Sequence, residues 1–263
     1  MSVDGNGYVA GVTILCYHDL DASWKSPISV DPDTFARQVA WLASNRRIVP
    51  AGEAVRMMDR RGGLPAGIAS ITFDDGFLST YEHAMPILAR HRLPATVFVV
   101  AATLDGPGSV MDWVKDASVP RRALSAAQIL ELVDAGFEIG SHSNTHRDLT
   151  TLQEREVVAD LRRSREALED LIGRPITTFA YPGGRHDERV RRAARTVGFE
   201  HSFAMSDSDL PNRPPDAIPR AGIYRGDGIR ILGAKTSPWF WRMRNSSLEP
   251  VIARLNGWRR RIA

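Results

Sequence analysis

Apolar and polar positions along the chain switch repeatedly between two periods. Short, β-rich apolar runs fall at 12–17, 68–73, 96–100, 137–140 and 177–180, with a weaker one at 201–205. Each has the length and composition of a buried strand. Between them apolar residues recur every three or four positions, as on one face of a helix. At 32–44 that face carries Phe35, Val39 and Leu42, with Asp31 placed to cap the helix start. Helical patterns follow at 51–60, at 80–90 and at 125–135, the last capped by Ser125 and stopped by Gly136. A longer one at 153–172 carries Val157, Leu161, Leu168 and Ile172 and stops at Gly173, and one at 187–197 stops at Gly198. Strand–helix alternation of this kind predicts an α/β fold: a parallel sheet with helices outside, open or closed into a barrel. No repeat or linker interrupts it, so residues 1–237 read as one domain and 238–263 as a tail.

Composition narrows the class. Hydrophobic content of 43% and charged content of 25% suit a soluble chain that buries a sizeable core. A net charge of +3, with no nucleic-acid-binding motif, gives no reason to expect a nucleic-acid partner. The single cysteine, Cys16, excludes an intramolecular disulfide and sits inside an apolar run, the place of a small core residue. Residues 1–11 are polar and Gly-rich, without a charged segment leading into an apolar one, and no stretch is long enough to span a bilayer. The expected location is therefore cytoplasmic.

In strand–helix folds of this type, chemistry collects on the loops at the carboxyl ends of strands. Four polar clusters occupy such positions: Tyr17-His18-Asp19, Asp74-Asp75-Gly76, the run from Ser141 to His146, and Tyr181-Pro182-Gly183-Gly184. Two adjacent carboxylates at the end of an apolar strand are costly unless positive charge compensates them. Alternation along a strand would point them to opposite sides, free for different tasks. His142 and His146 are spaced i, i+4, which on a helical turn puts both imidazoles on one face, a spacing suited to a divalent metal such as zinc. Two imidazoles and one carboxylate leave coordination positions open, the layout of a catalytic rather than a structural metal site.

These residues resemble the polysaccharide deacetylases, carbohydrate esterase family 4. Thr72–Gly76 is similar to the family's first motif, His142-Ser143-Asn144-Thr145-His146 to its His-Ser/Thr-x-x-His second motif, and Phe179-Ala180-Tyr181-Pro182-Gly183-Gly184 to a variant of its third. The resemblance runs from about residue 11 to 226. It implies a distorted (β/α) barrel and metal-dependent removal of N-acetyl or O-acetyl groups from a carbohydrate. It also implies Asp74 as general base and Asp75, His142 and His146 as ligands of a divalent metal, zinc first, with cobalt and nickel as alternatives. Tyr181, Pro182 and Gly183 would then line the substrate site. Trp113, in the loop before the Ser125 helix, is placed either to stack on a sugar or to cover the barrel mouth.

Two departures from the family pattern stand out. The arginine that orients the base in the third motif is replaced by Ala180, with Arg220 and Arg185 as substitutes and Arg220 the better placed. No histidine follows His201, so the usual late leucine-x-histidine motif is missing. Cys16-Tyr17-His18-Asp19 resembles the branch of poly-β-1,6-N-acetylglucosamine deacetylases, which implies His18 as the general acid. Two alternatives remain: a metal amidohydrolase acting on a small or lipid-linked amino sugar, and a catalytically impaired carbohydrate-binding relative. The tail mixes Trp239, Phe240, Trp241 and Trp258 with arginines, a composition suited to packing back on the domain or to weak contact with an anionic membrane surface.

Overall fold

The computed structural model describes residues 13–61, 67–106, 109–115, 119–205 and 216–237. The tail at 238–263 and its aromatic and basic residues lie outside them. The strands are β1 (Thr13–Tyr17), β2 (Arg47–Ile48), β3 (Ile68–Phe73), β4 (Thr96–Val99), β5 (Glu138–Ser141), β6 (Thr178–Ala180), β7 (His201–Met205) and β8 (Ile218–Gly222). The helices are α1 (Pro32–Asn45), α2 (Ala51–Arg61), α3 (Met85–Arg90), α4 (Ala126–Asp134), α5 (Glu154–Ile172), α6 (Glu188–Val197) and α7 (Ile229–Lys235).

Every pairing between these strands is parallel, and β1 pairs with both β3 and β8. The sheet therefore closes as β1-β3-β4-β5-β6-β7-β8, with β2 added against the start of β3. The expected sheet is thus a closed barrel of seven strands. Alternate strand residues go to two different cores. Leu15, Tyr17, Ile71, Phe73, Val97, Val99 and Phe179 pack against α1, α4, α5 and α6. The other parity gives a separate interior cluster of Ile14, Phe98, Ala180, Phe203 and Ile218, which Ala51 and Val55 of α2 join. The Gly52 N–H donates to Glu138 at the start of β5, so α2 plugs the amino-terminal mouth. Gly140 has to be a glycine here, because a Cβ would sit 2.6 Å from the Phe98 ring and 2.7 Å from Thr178 Oγ1.

Helix boundaries follow the capping chemistry. Asp31 accepts from Asp33 N and Thr34 N, Ser125 and Gln128 form a reciprocal capping box, and Asp187 accepts from Val190 N. Gly173 and Gly198 end their helices in the left-handed conformation, at φ of 72° and 102°. The 80–90 segment differs from the uniform helix expected. It opens as a π-helical stretch, Thr80–Ala84, in which the Met85 N–H reaches the Thr80 carbonyl. Pro86, at the start of α3, has no N–H for an ordinary helical bond, and the wider turn accommodates it. Two strands escaped the periodicity. β2 is only two residues long, and β8 contains Pro219, which cannot donate to a ladder.

Candidate active site

The interior parity of the strands, followed to their carboxyl ends, brings the polar residues together. Cys16 and His18 belong to β1 and its extension, Asp74 follows β3, His142 follows β5, and Arg220 lies within β8. Asp74 and Asp75 are both buried, with relative exposures of 2% and 4%. Their divergence does not come from strand alternation as expected. Asp75 has φ of 67° and Gly76 φ of 71°, so the chain turns sharply just past Asp74 and carries Asp75 to the other side.

Arg220 is the largest fully buried side chain among the described residues, and its guanidinium lies 5.1 Å from the Phe98 ring centroid in the barrel interior. Its Nη1 donates to Asp74 Oδ1 and its Nη2 to Asp74 Oδ2, both at 2.6 Å, while Nη1 also reaches Thr72 Oγ1 at 3.2 Å. Burial alone would raise the Asp74 pKa; the Arg220 charge and its hydrogen bonds outweigh it and bring the pKa down to about 2. The Cys16 thiol donates to Asp74 Oδ2 at 3.3 Å, and burial pushes that thiol well above its usual pKa, so it remains a donor. The sequence had suggested only a core residue at position 16; its matching parity with His18 was the available signal. Arg185, the other substitute considered for the missing arginine, is half exposed and pairs with Asp148.

Asp75 Oδ1 lies 3.3 Å from His142 Nε2 and 3.0 Å from His146 Nε2. His142 Nδ1 is 2.9 Å from the Ala180 carbonyl, which can only accept, so Nδ1 carries the proton and Nε2 turns a lone pair toward Asp75. Asp75 Oδ1 is buried without a hydrogen-bond partner among the described residues. A carboxylate oxygen facing an imidazole lone pair at this distance is repulsive unless a proton on the imidazole or a cation lies between them. Two ligand atoms on a tetrahedral zinc, each about 2.0–2.2 Å from the ion, are themselves roughly 3.3 Å apart. The three atoms thus have the chemistry and spacing that a divalent cation requires. The electrostatics agree. Burial would lower the His142 pKa, but the Asp74 and Asp75 carboxylates outweigh it and raise it. Burial would raise the Asp75 pKa, but His146 and His142 hold it well below the carboxylate range. The site draws positive charge.

The two histidines are not on a helical turn. Residues 142–146 form an irregular loop in which Ser143 and His146 have φ of 68° and 53°. The i, i+4 spacing brings the rings together, with centroids 5.0 Å apart, through this loop, whose Ser143 hydroxyl accepts the His146 N–H. His18 lies beside this group. One of its ring nitrogens, Cys16 Sγ and an Asp74 oxygen are all within 4.8 Å of one another, a set separate from Asp75, His142 and His146. His18 Nδ1 is buried without a partner among the described residues. Burial lowers its pKa, against the pull of Asp75 and Asp74.

The Trp113 ring stacks on His146, with centroids 4.9 Å apart and planes at 22°. Tyr181 falls on the outer parity with Phe179: its ring packs on Phe179 and on His186, its hydroxyl donates to the Asp216 carbonyl, and its N–H donates to the Phe203 carbonyl. Within the turn that follows, Pro182 and Gly184 are buried and Gly183 is exposed. His83 and His91 are exposed, and Asp187 caps α6.

A polysaccharide deacetylase family model matches residues 61–202, more than half of the chain. The chain belongs to this family of carbohydrate deacetylases. Among curated relatives, YxkH of Bacillus subtilis (strain 168), named as a polysaccharide deacetylase, is 24% identical over 224 residues, 84% of this chain and 72% of its own length. The poly-β-1,6-N-acetyl-D-glucosamine N-deacetylase of Staphylococcus aureus is 24% identical over 203 residues, 73% of this chain and 67% of its own. Among solved structures, IcaB from Ammonifex degensii is 28% identical with a TM-score of 0.71, covering 87% of this chain and 98% of that one. The Streptococcus pyogenes deacetylase PplD, solved with acetate, shares the fold at a TM-score of 0.74 and 20% identity, covering 86% and 98%. No helix among the described residues is long and apolar enough to cross a membrane.

Proposed function

We propose that this deacetylase is metal-dependent and hydrolyses the acetamide of an N-acetylated amino sugar, with a β-1,6-linked N-acetylglucosamine glycan as the first substrate to test. The observation that carries the reading is the convergence of Asp75, His142 and His146 beside the Asp74–Arg220 pair. The relative from Staphylococcus aureus supports the choice of glycan.

Asp75 Oδ1, His142 Nε2 and His146 Nε2 would hold the divalent cation, with zinc the first choice and cobalt or nickel as alternatives. When bound, such an ion acidifies water and polarises the acetyl carbonyl. Asp74 is the general base that takes the proton of the attacking water. Arg220 fixes the direction of its carboxylate and keeps it ionised. His18 delivers a proton to the departing nitrogen, so that acetate and a free amine leave. Its burial makes the imidazolium a readier donor than a free imidazole. Trp113 and the turn at Gly183 line the approach of the sugar.

Acetate release from N-acetylglucosamine oligomers by the wild type and by Asp74→Asn tests the reading. The substitution keeps shape and removes basicity, so turnover should fall by roughly 10²–10⁴ while the cation is retained. Near wild-type turnover in Asp74→Asn would remove Asp74 from the reaction.

A further inference from the structure

The loop that carries both histidines holds itself in an unusual shape. Two of its five residues, Ser143 and His146, are non-glycine residues at positive φ. Such conformations are costly and persist only where surrounding structure fixes them. The fixing contacts come largely from one helix. Asp160 of α5 accepts the Asn144 N–H on Oδ1 at 2.8 Å and the Thr145 hydroxyl on Oδ2 at 2.6 Å. One helix turn later, the buried Ser164 hydroxyl is 2.6 Å from that of Ser141, which in turn accepts the Ser143 N–H at 3.2 Å. Residues i and i+4 of a helix share a face. Asp160 and Ser164 thus grip the middle and the beginning of a loop whose two ends are His142 and His146. On the opposite side the loop carbonyls of Ser143 and Asn144 accept from Ala101 N and Ala102 N, just past β4.

We propose that Asp160 is a positioning residue: its carboxylate braces the His142–His146 loop so that the two imidazoles are set for the cation before it arrives. The inference rests on the metal reading of Asp75, His142 and His146. Asp160 touches neither histidine. It acts through two consecutive groups of the loop, the Asn144 amide and the Thr145 hydroxyl, and needs two acceptor oxygens to hold both. An asparagine retains one of them, and an alanine neither. Removing outer-shell support of this kind typically weakens metal affinity by roughly 10–100-fold.

The test is the zinc dissociation constant of metal-stripped protein, read by competition with a chromophoric chelator, for wild type, Asp160→Asn, Asp160→Ala and His146→Ala. Asp160→Ala should bind zinc roughly 10–100-fold more weakly than wild type, with Asp160→Asn in between. Melting temperatures with and without zinc separate bracing from general stability. A brace shrinks the rise that zinc produces, whereas a merely structural residue lowers both values equally. If Asp160→Ala does not fold, Asp160→Asn alone decides by its affinity. Wild-type zinc affinity in the Asp160 variants, together with its loss in His146→Ala, would overturn the brace and leave the metal site standing. Unchanged affinity in His146→Ala would overturn both.

Discussion

Arg220, on β8, meets both carboxylate oxygens of Asp74, just past β3, at 2.6 Å across the barrel interior, with β1 between the two strands. A planar guanidinium suits this bidentate task, which a lysine would not perform. Asp74 has to be ionised to accept a proton, so turnover should fail on the acid side where it becomes protonated. Arg220 holds that point down at about 2, so in the wild type release of the cation by ligand protonation, not Asp74, should set the acid limb. In Arg220→Gln only His142 and His18 still oppose the effect of burial, so the protonation of Asp74, and with it the acid limb of the pH–rate profile, should move upward. An unmoved acid limb would mean that Arg220 does not govern Asp74.

The same pair has a stability consequence with a definite sign. The folded-state pKa of Asp74 is depressed from 3.8 to about 2, so its contribution is present above 3.8 and is lost as pH falls through about 2. Arg220→Gln leaves a buried carboxylate without its partner, a change that typically costs about 3–5 kcal/mol. Denaturant unfolding near neutral pH should therefore show a large loss for Arg220→Gln, and the deficit should shrink when Asp74→Asn is combined with it.

His18 should matter more for poor leaving groups. Removing a positioned acid costs roughly 10²–10⁴ in rate when the nitrogen must leave protonated. His18→Ala should sharply slow acetamide hydrolysis and spare an aryl acetate by comparison. Equal losses on both substrates would assign His18 a supporting role in the site, and no loss on either would remove it from the mechanism.

Gly140 offers a test of the barrel interior. The added methyl of Gly140→Ala would meet Phe98 and Thr178 at less than 3.0 Å. Overpacking of this kind costs typically about 1–3 kcal/mol. Chemical denaturation should report a loss in that range, and an unaffected midpoint would show that Phe98 can move aside.

The barrel and much of its site were legible in the sequence because both follow simple periods. Strand parity places Ile14, Cys16 and His18 on one side and Leu15 and Tyr17 on the other; His18 itself was singled out by the resemblance of Cys16–Asp19 to a family motif. The same parity accounts for Tyr181, which packs beside Phe179 on the outer face. Where local chemistry overrides the period, the sequence misleads. The His142–His146 spacing suggested a helical turn, yet an irregular loop held by Ser143 brings the rings together. Asp74 and Asp75 diverge through a left-handed residue rather than through strand alternation. Asp160 gave no signal of its own, since a polar residue on a helix ordinarily reads as solvated surface. Its role becomes visible only when the loop it holds is seen against α5.

On the proposed reading, acetamide hydrolysis depends on a divalent cation held by Asp75, His142 and His146. The most direct measurement follows metal content and acetate release together, in purified protein before chelation, after chelation and after zinc is returned. The expected result is about one bound ion per chain in the wild type. Acetate release should be lost with the ion and restored with zinc, and His142→Ala and His146→Ala should fail to recover either ion or activity. Full acetate release from protein stripped of metal, or full metal occupancy in both histidine variants, would contradict the account.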